Sequence, residues 1–141
     1  MRVRVPTACL KKKKPLLILI AATTSPSQLI LDSVQQLSPG QVASFYNLSH
    51  VNLPENRSPE EMSKQLPLAI FQTNAVAAGS NVGLFPTMAR LNHGCSGAFN
   101  SVYSWLGREG VLVVYALTDI KYGEELLTAY FRTLQTRDER R

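Results

Sequence analysis

The apolar pattern changes character several times along the chain. Pro15 to Ile20 is a continuous apolar run, as expected of a buried strand. Thr23-Thr24-Ser25-Pro26-Ser27 is loop chemistry. From Gln28 to Leu37 the spacing turns helical, with Ile30, Val34 and Leu37 on one face. Ser38-Pro39-Gly40-Gln41 then reads as a helix start: Ser38 can cap, Pro39 suits the first helical position and Gln41 completes a capping box. Val42, Phe45, Tyr46 and Ser49 continue at helical spacing, and residues 52–57, with Pro54, are loop. Ser58-Pro59-Glu60-Glu61 repeats the start signal. That helix is expected to end or kink near Pro67. A further Ala-rich helix is expected over Leu68–Ala78, closing at Gly79. Residues 28–78 therefore read as a helical insertion packed on a sheet.

After Gly83 the signals are those of strands. Phe85-Pro86 is extended. Ser101–Leu106 and Val111–Ala116 are rich in β-branched and aromatic residues, with Gly107 and Gly110 at the turn between them, so they predict a hairpin. Tyr122-Gly123 is a second turn, and Leu126–Tyr130 is short and strand-like. Residues 1–14 lack apolar periodicity and read as a loose basic tail. Thr133–Arg141 is polar, a helix start or a frayed end. The class this predicts is α+β.

Composition narrows the picture. A chain of 141 residues is one domain's worth, and 45% hydrophobic residues can bury a real core. The formal charge of +5 is concentrated in Lys11–Lys14 and in Arg132, Arg137, Arg140 and Arg141. Those clusters read as solvated ends, and no aromatic-interleaved basic surface of a nucleic-acid binder accompanies them. Two cysteines without a C-x-x-C motif exclude a disulfide scaffold and point to a reducing compartment. No run reaches the ~20 apolar residues that span a bilayer. Arg2, Arg4 and Lys11–Lys14 ahead of Leu16–Ala22 imitate a signal peptide. The apolar stretch is short and opens with Pro15, so a buried strand explains it more simply. An intracellular protein, nuclear or cytoplasmic, is expected.

The chemistry concentrates in two segments, Arg90-Leu91-Asn92-His93-Gly94-Cys95 and Gly123-Glu124-Glu125-Leu126-Leu127-Thr128-Ala129-Tyr130. Both are expected on one small sheet. From residue types alone, Asn92 and His93 are a satisfied structural pair, Tyr130 is a core tyrosine with its hydroxyl satisfied, and Asn74 is a solvent-facing helix amide. Arg90, Glu124 and Glu125 read as structural, the Gly-Glu-Glu turn inviting a nearby Arg. Tyr103 and Trp105 alternate on one strand face as packing residues.

Together these segments resemble the C-terminal half of a SET domain, the protein-lysine methyltransferase fold. The resemblance rests on Asn92-His93 with Cys95 (N-H-x-C), Ala116-Leu117-Thr118-Asp119-Ile120 (A-x-x-D-I), Gly123-Glu124-Glu125-Leu126 (G-E-E-L) and Tyr130. It covers about residues 66–141 well and 15–65 weakly. Asn74 matches an Asn of the SET-and-MYND type. The resemblance implies a SET-type fold of small sheets with the 28–78 insertion, a partial domain over 15–134 with a C-terminal core over 84–131, a pseudoknot, and a polar tail over 135–141. Four departures stand beside it. Arg90 lies one position closer to the Asn than usual. Ser96-Gly97-Ala98-Phe99-Asn100 replaces x-P-N, placing Asn100 at longer spacing. No Gly-x-Gly precedes Pro15. No cysteine follows Cys95, so the family's four-thiolate zinc site cannot form within this chain, and Cys95 is expected to be a small buried hydrophobe. The domain thus looks short at both ends.

The function implied is S-adenosyl-L-methionine-dependent protein-lysine N-methyltransfer. Asn92, His93, Asn74 and Tyr130 are the implied donor-binding residues, and Tyr130 the catalytic one bordering the transfer channel. The implied partner is a protein lysine, with no membrane and with nucleic acid only indirectly through chromatin. A lysine amine has an ordinary pKa near ~10.4. A dry aromatic channel beside a cationic sulfonium favours its neutral form, and alignment then does most of the work. The alternative is a catalytically inactive SET-derived module for protein interaction.

Overall fold

The computed structural model describes residues 9–19, 25–51, 53, 58–95 and 97–130. Among these residues the architecture is α+β: three α-helices and three small sheets. The loop readings at 23–24 and 52, 54–57, the aromatic Phe131 and the polar segment 133–141 lie outside the described residues.

The helical layer follows its start signals. α1 (Pro26–Gln35) buries Ile30 and Val34. α2 (Pro39–Tyr46) opens where Ser38 N–H donates to Gln41 Oε1 at 3.0 Å, and buries Phe45 completely while Tyr46 remains exposed. α3 (Pro59–Asn74) opens on a reciprocal cap: Ser58 N–H donates to Glu61 Oε2 at 3.1 Å and Glu61 N–H to Ser58 Oγ at 3.3 Å. Each cap satisfies backbone donors that a helix start leaves without partners.

The end of this layer departs from the expected helix bounds in two places. α3 does not stop at Pro67 but runs through it to Asn74. An interior proline costs about 3 kcal/mol, and here Pro67 is buried together with Ala69, Ile70 and Phe71, so apolar burial at about 1.5–3 kcal/mol per large side chain offsets it. Nor does the helix reach Ala78. Ala75–Ala78 is strand β3, paired with β4 (Asn81–Leu84) from Ala75↔Leu84 to Ala78↔Asn81. Gly79 makes the hairpin turn, at φ +71°, rather than a helix cap. The helical part of the insertion therefore ends at residue 74.

The apolar run supplies β2 (Leu17–Leu19), paired antiparallel with β4, giving the order β2-β4-β3. Leu17 and Leu84 close over Ile30, Val34, Phe45, Leu48, Ile70 and Phe71 to form the larger core. The expected hairpin is present as β6 (Ser101–Leu106) and β7 (Val111–Ala116), in register Ser101↔Ala116 to Leu106↔Val111. The basic tail is corrected in part: β1 (Cys9–Lys13) pairs with the free side of β7, making the order β1-β7-β6. A second core, of Ala78, Phe85, Met88 and Leu112, takes in Tyr103 and Trp105 as packing residues, with Phe85 and Trp105 edge to face at 5.9 Å. Burial pushes the Tyr103 phenol above its ordinary pKa. The third sheet has two strands of two residues each and carries the candidate site: β5 (Asn92–His93) lies parallel to β8 (Leu127–Thr128).

Candidate functional site

The site is built where one stretch of chain grips another. On one side β5 sets Asn92 opposite Leu127 and His93 opposite Thr128, and Gly94 N–H donates to Thr128 O at 3.0 Å. On the other side Asn100 N–H and the Ser101 hydroxyl donate to Leu127 O at 3.1 and 2.9 Å. Leu127 N–H donates back to Asn100 Oδ1 at 2.9 Å, and Asn100 Nδ2 donates to Glu125 O at 2.9 Å and Glu124 Oε1 at 3.3 Å. Residues 124–128 thus lie between the two ends of the 92–101 stretch. The two motif segments expected on one small sheet meet in this strand pair.

Gly94 makes the close turn possible. A Cβ there would sit 2.7 Å from Phe99 N and 2.8 Å from Phe99 Cα, so only glycine fits against this backbone. Asn100, buried at 8% exposure, satisfies backbone groups that the short strand pair leaves over.

The grip brings Asn92, His93 and Tyr130 together. Tyr130 is held at two points: its N–H donates to His93 Nδ1 at 3.1 Å, and its hydroxyl donates to Leu91 O at 2.5 Å. Its ring tilts against the His93 ring with centroids 5.3 Å apart. With Nδ1 accepting, a neutral His93 carries its proton on Nε2. Half of Tyr130 remains open to solvent. Asn92 is exposed, and its Nδ2 donates to Glu125 Oε1 at 2.6 Å, a charge-assisted bond that fixes the amide. Asn74 stands apart in its contacts. It is buried rather than solvent-facing, and its Nδ2 donates to Ile70 O at 2.8 Å and Ser49 O at 2.6 Å. Both amide hydrogens serve the helical layer, and Oδ1 is the atom left to meet a ligand.

Two sequence readings are corrected here. Cys95 is exposed, not buried. The Gly-Glu-Glu turn takes amide partners rather than an Arg. Glu125 holds Asn92. Glu124 accepts from Lys121 N–H at 2.9 Å and from Asn100. The Lys121 backbone bond, and after it the Asn100 side chain, holds the Glu124 carboxyl below its ordinary pKa. Glu125 is the site residue that sequence reasoning missed as such. The signal was its place two residues before Leu127, diagonal to Asn92 across the strand pair.

Compared with known protein families, residues 22–131 match the SET domain. The chain belongs to the SET domain family. No curated protein matches it. The matched span includes Asn74, Asn92, His93, Gly94, Asn100 and Tyr130, and the motif segments of this SET domain are the ones that the crossing brings together. SET domains are in general protein-lysine methyltransferases acting on protein substrates, and the family generally uses S-adenosyl-L-methionine. Among the described residues no helix is long and apolar enough to cross a membrane.

Proposed function

We propose that this SET domain transfers a methyl group from S-adenosyl-L-methionine to a protein lysine at the surface formed by Asn92, His93 and Tyr130. The observation that carries the proposal is Tyr130: the crossing seats it on the Asn92-His93 segment through two hydrogen bonds. The residues suit the cationic end of such a donor. The Glu125 carboxylate beside Asn92 attracts positive charge, and the Tyr130 and His93 rings present π-faces that attract cations.

When bound, the donor supplies a methyl carbon on a positively charged sulfur. This chain's residues bind and orient. Asn92, with one amide hydrogen committed to Glu125, offers Oδ1 and its second hydrogen to polar groups of the donor. His93 accepts the Tyr130 N–H and so sets the start of the segment that carries the phenol. Tyr130, its proton donated to Leu91 O, keeps oxygen lone pairs able to accept an N–H from the incoming amine. That bond would aim a neutral amine's lone pair at the methyl carbon, and alignment of this kind supplies much of a transfer's acceleration. Asn74 would contribute through Oδ1, as the likeness to the SET-and-MYND type implies.

Transfer of label from methyl-labelled S-adenosyl-L-methionine to a mixed protein extract tests the reading. Incorporation on lysine that drops at least tenfold in Tyr130→Phe, with the fold intact, supports it. Equal label in Tyr130→Phe, or none in wild type, overturns it.

A further inference from the structure

Next to the crossing lies a second feature, which the proposed transfer does not use. It is an apolar cavity of about 180 Å³, walled by Met88, Leu91, Leu112, Val114 and Leu126, with Lys13 and Thr87 its polar members. Asn92, His93 and Tyr130 are not among the residues that line it.

We propose that this cavity binds a small apolar monocarboxylate, with its hydrocarbon part inside and its carboxylate on the Lys13 ammonium. Size sets the first limit. An apolar cavity of about 150 Å³ holds one benzene ring, and drug-sized ligands need roughly 300 Å³ or more, so one ring or a short alkyl chain fits. Charge sets the second. Lys13 is the one charged residue in the lining. It stands on β1 opposite Leu112 of the cavity wall, and among the described residues no carboxylate pairs with it. A hydrocarbon body bearing one negative group matches an apolar wall with one open cation, and the Thr87 hydroxyl offers a further donor. Leu91 and Leu126 directly precede the paired residues Asn92 and Leu127, so occupancy is readable at the crossing.

The test is an NMR titration of the whole chain, without methyl donor, using benzoate and its uncharged analogue benzyl alcohol. The methyl signals of Leu91, Leu112, Val114 and Leu126 should shift saturably with benzoate and more weakly with benzyl alcohol. Lys13→Met, at an exposed position, should weaken benzoate about fivefold, the scale of an exposed ion pair, and leave benzyl alcohol unchanged. Val114→Phe should remove both responses. If that variant does not fold, the Lys13→Met comparison decides alone. The proposal is overturned by no saturable shift at roughly 10 mM benzoate, by equal affinity for the two probes, or by a Lys13→Met chain that binds benzoate as wild type does. None of these outcomes depends on methyl transfer.

Discussion

Replacing Asn100 by alanine should loosen the crossing on which the site depends. The side chain accepts from Leu127 N–H at 2.9 Å and donates to Glu125 O at 2.9 Å and Glu124 Oε1 at 3.3 Å. Its backbone bonds to Leu127 and Leu117 survive the change. Two backbone groups, one on Leu127 and one on Glu125, lose their partner. An unsatisfied buried group costs about 1–3 kcal/mol. Leu127 is half-buried and Glu125 exposed, so water reaches one of them and the lower half of that range applies. With the exposed Glu125 carbonyl resolvated, the Leu127 N–H sets the total at about 1–2 kcal/mol, a sizeable share of the 5–15 kcal/mol typical of a domain. Urea unfolding followed by Trp105 fluorescence measures it as a lower midpoint at unchanged slope. Ser104→Ala, at an exposed position on the same hairpin, should change stability by less than about 0.5 kcal/mol. If Asn100→Ala costs no more than that control, the clasp contributes nothing and the reasoning fails.

The other consequences are local. Gly94→Ala must push Phe99 backbone aside and should destabilise by about 1–3 kcal/mol. A midpoint equal to wild type in the same unfolding assay would show that the loop yields freely. Glu124 has a depressed folded-state pKa. Its stabilising contribution is therefore present above the ordinary carboxylate value of about 4.3 and lost as pH falls through the lower folded value. Glu124→Gln should lose less stability than wild type between about pH 5 and pH 3, and parallel pH profiles would refute the Lys121 and Asn100 bonds. In a Cys9→Ser background, exposed Cys95 should react with a thiol reagent in the folded protein nearly as fast as in urea. Labelling only after unfolding would contradict its placement.

What was legible in the sequence was local. The capping signals at Ser38 and Ser58 needed only four residues each, and both helices start where those residues predict. The β6–β7 hairpin was legible because β-branched and aromatic runs flank two glycines. β1 was hidden because a run of lysines carries no apolar period. Its pairing with β7 comes from the register Lys11↔Val114 to Lys13↔Leu112, and lysines suit an edge strand. β3 was read as helix because Ala75, Ala77 and Ala78 favour one. The Gly79 turn and pairing with β4 override that preference. At the site, the motifs named Asn92, His93 and Tyr130, but the partners that orient them could not be read locally. Asn100 meets Leu127, and Glu125 meets Asn92, across some thirty residues. Such contacts exist only after the chain has crossed itself.

The most direct test of the central claim is calorimetric titration of the folded chain with S-adenosyl-L-methionine, with Asn92→Ala in parallel. The account predicts micromolar binding in wild type and none measurable in the variant, because the proposed site uses the amide that Glu125 fixes to hold the donor. No heat from folded wild type at millimolar donor, or equal binding by Asn92→Ala, would contradict it.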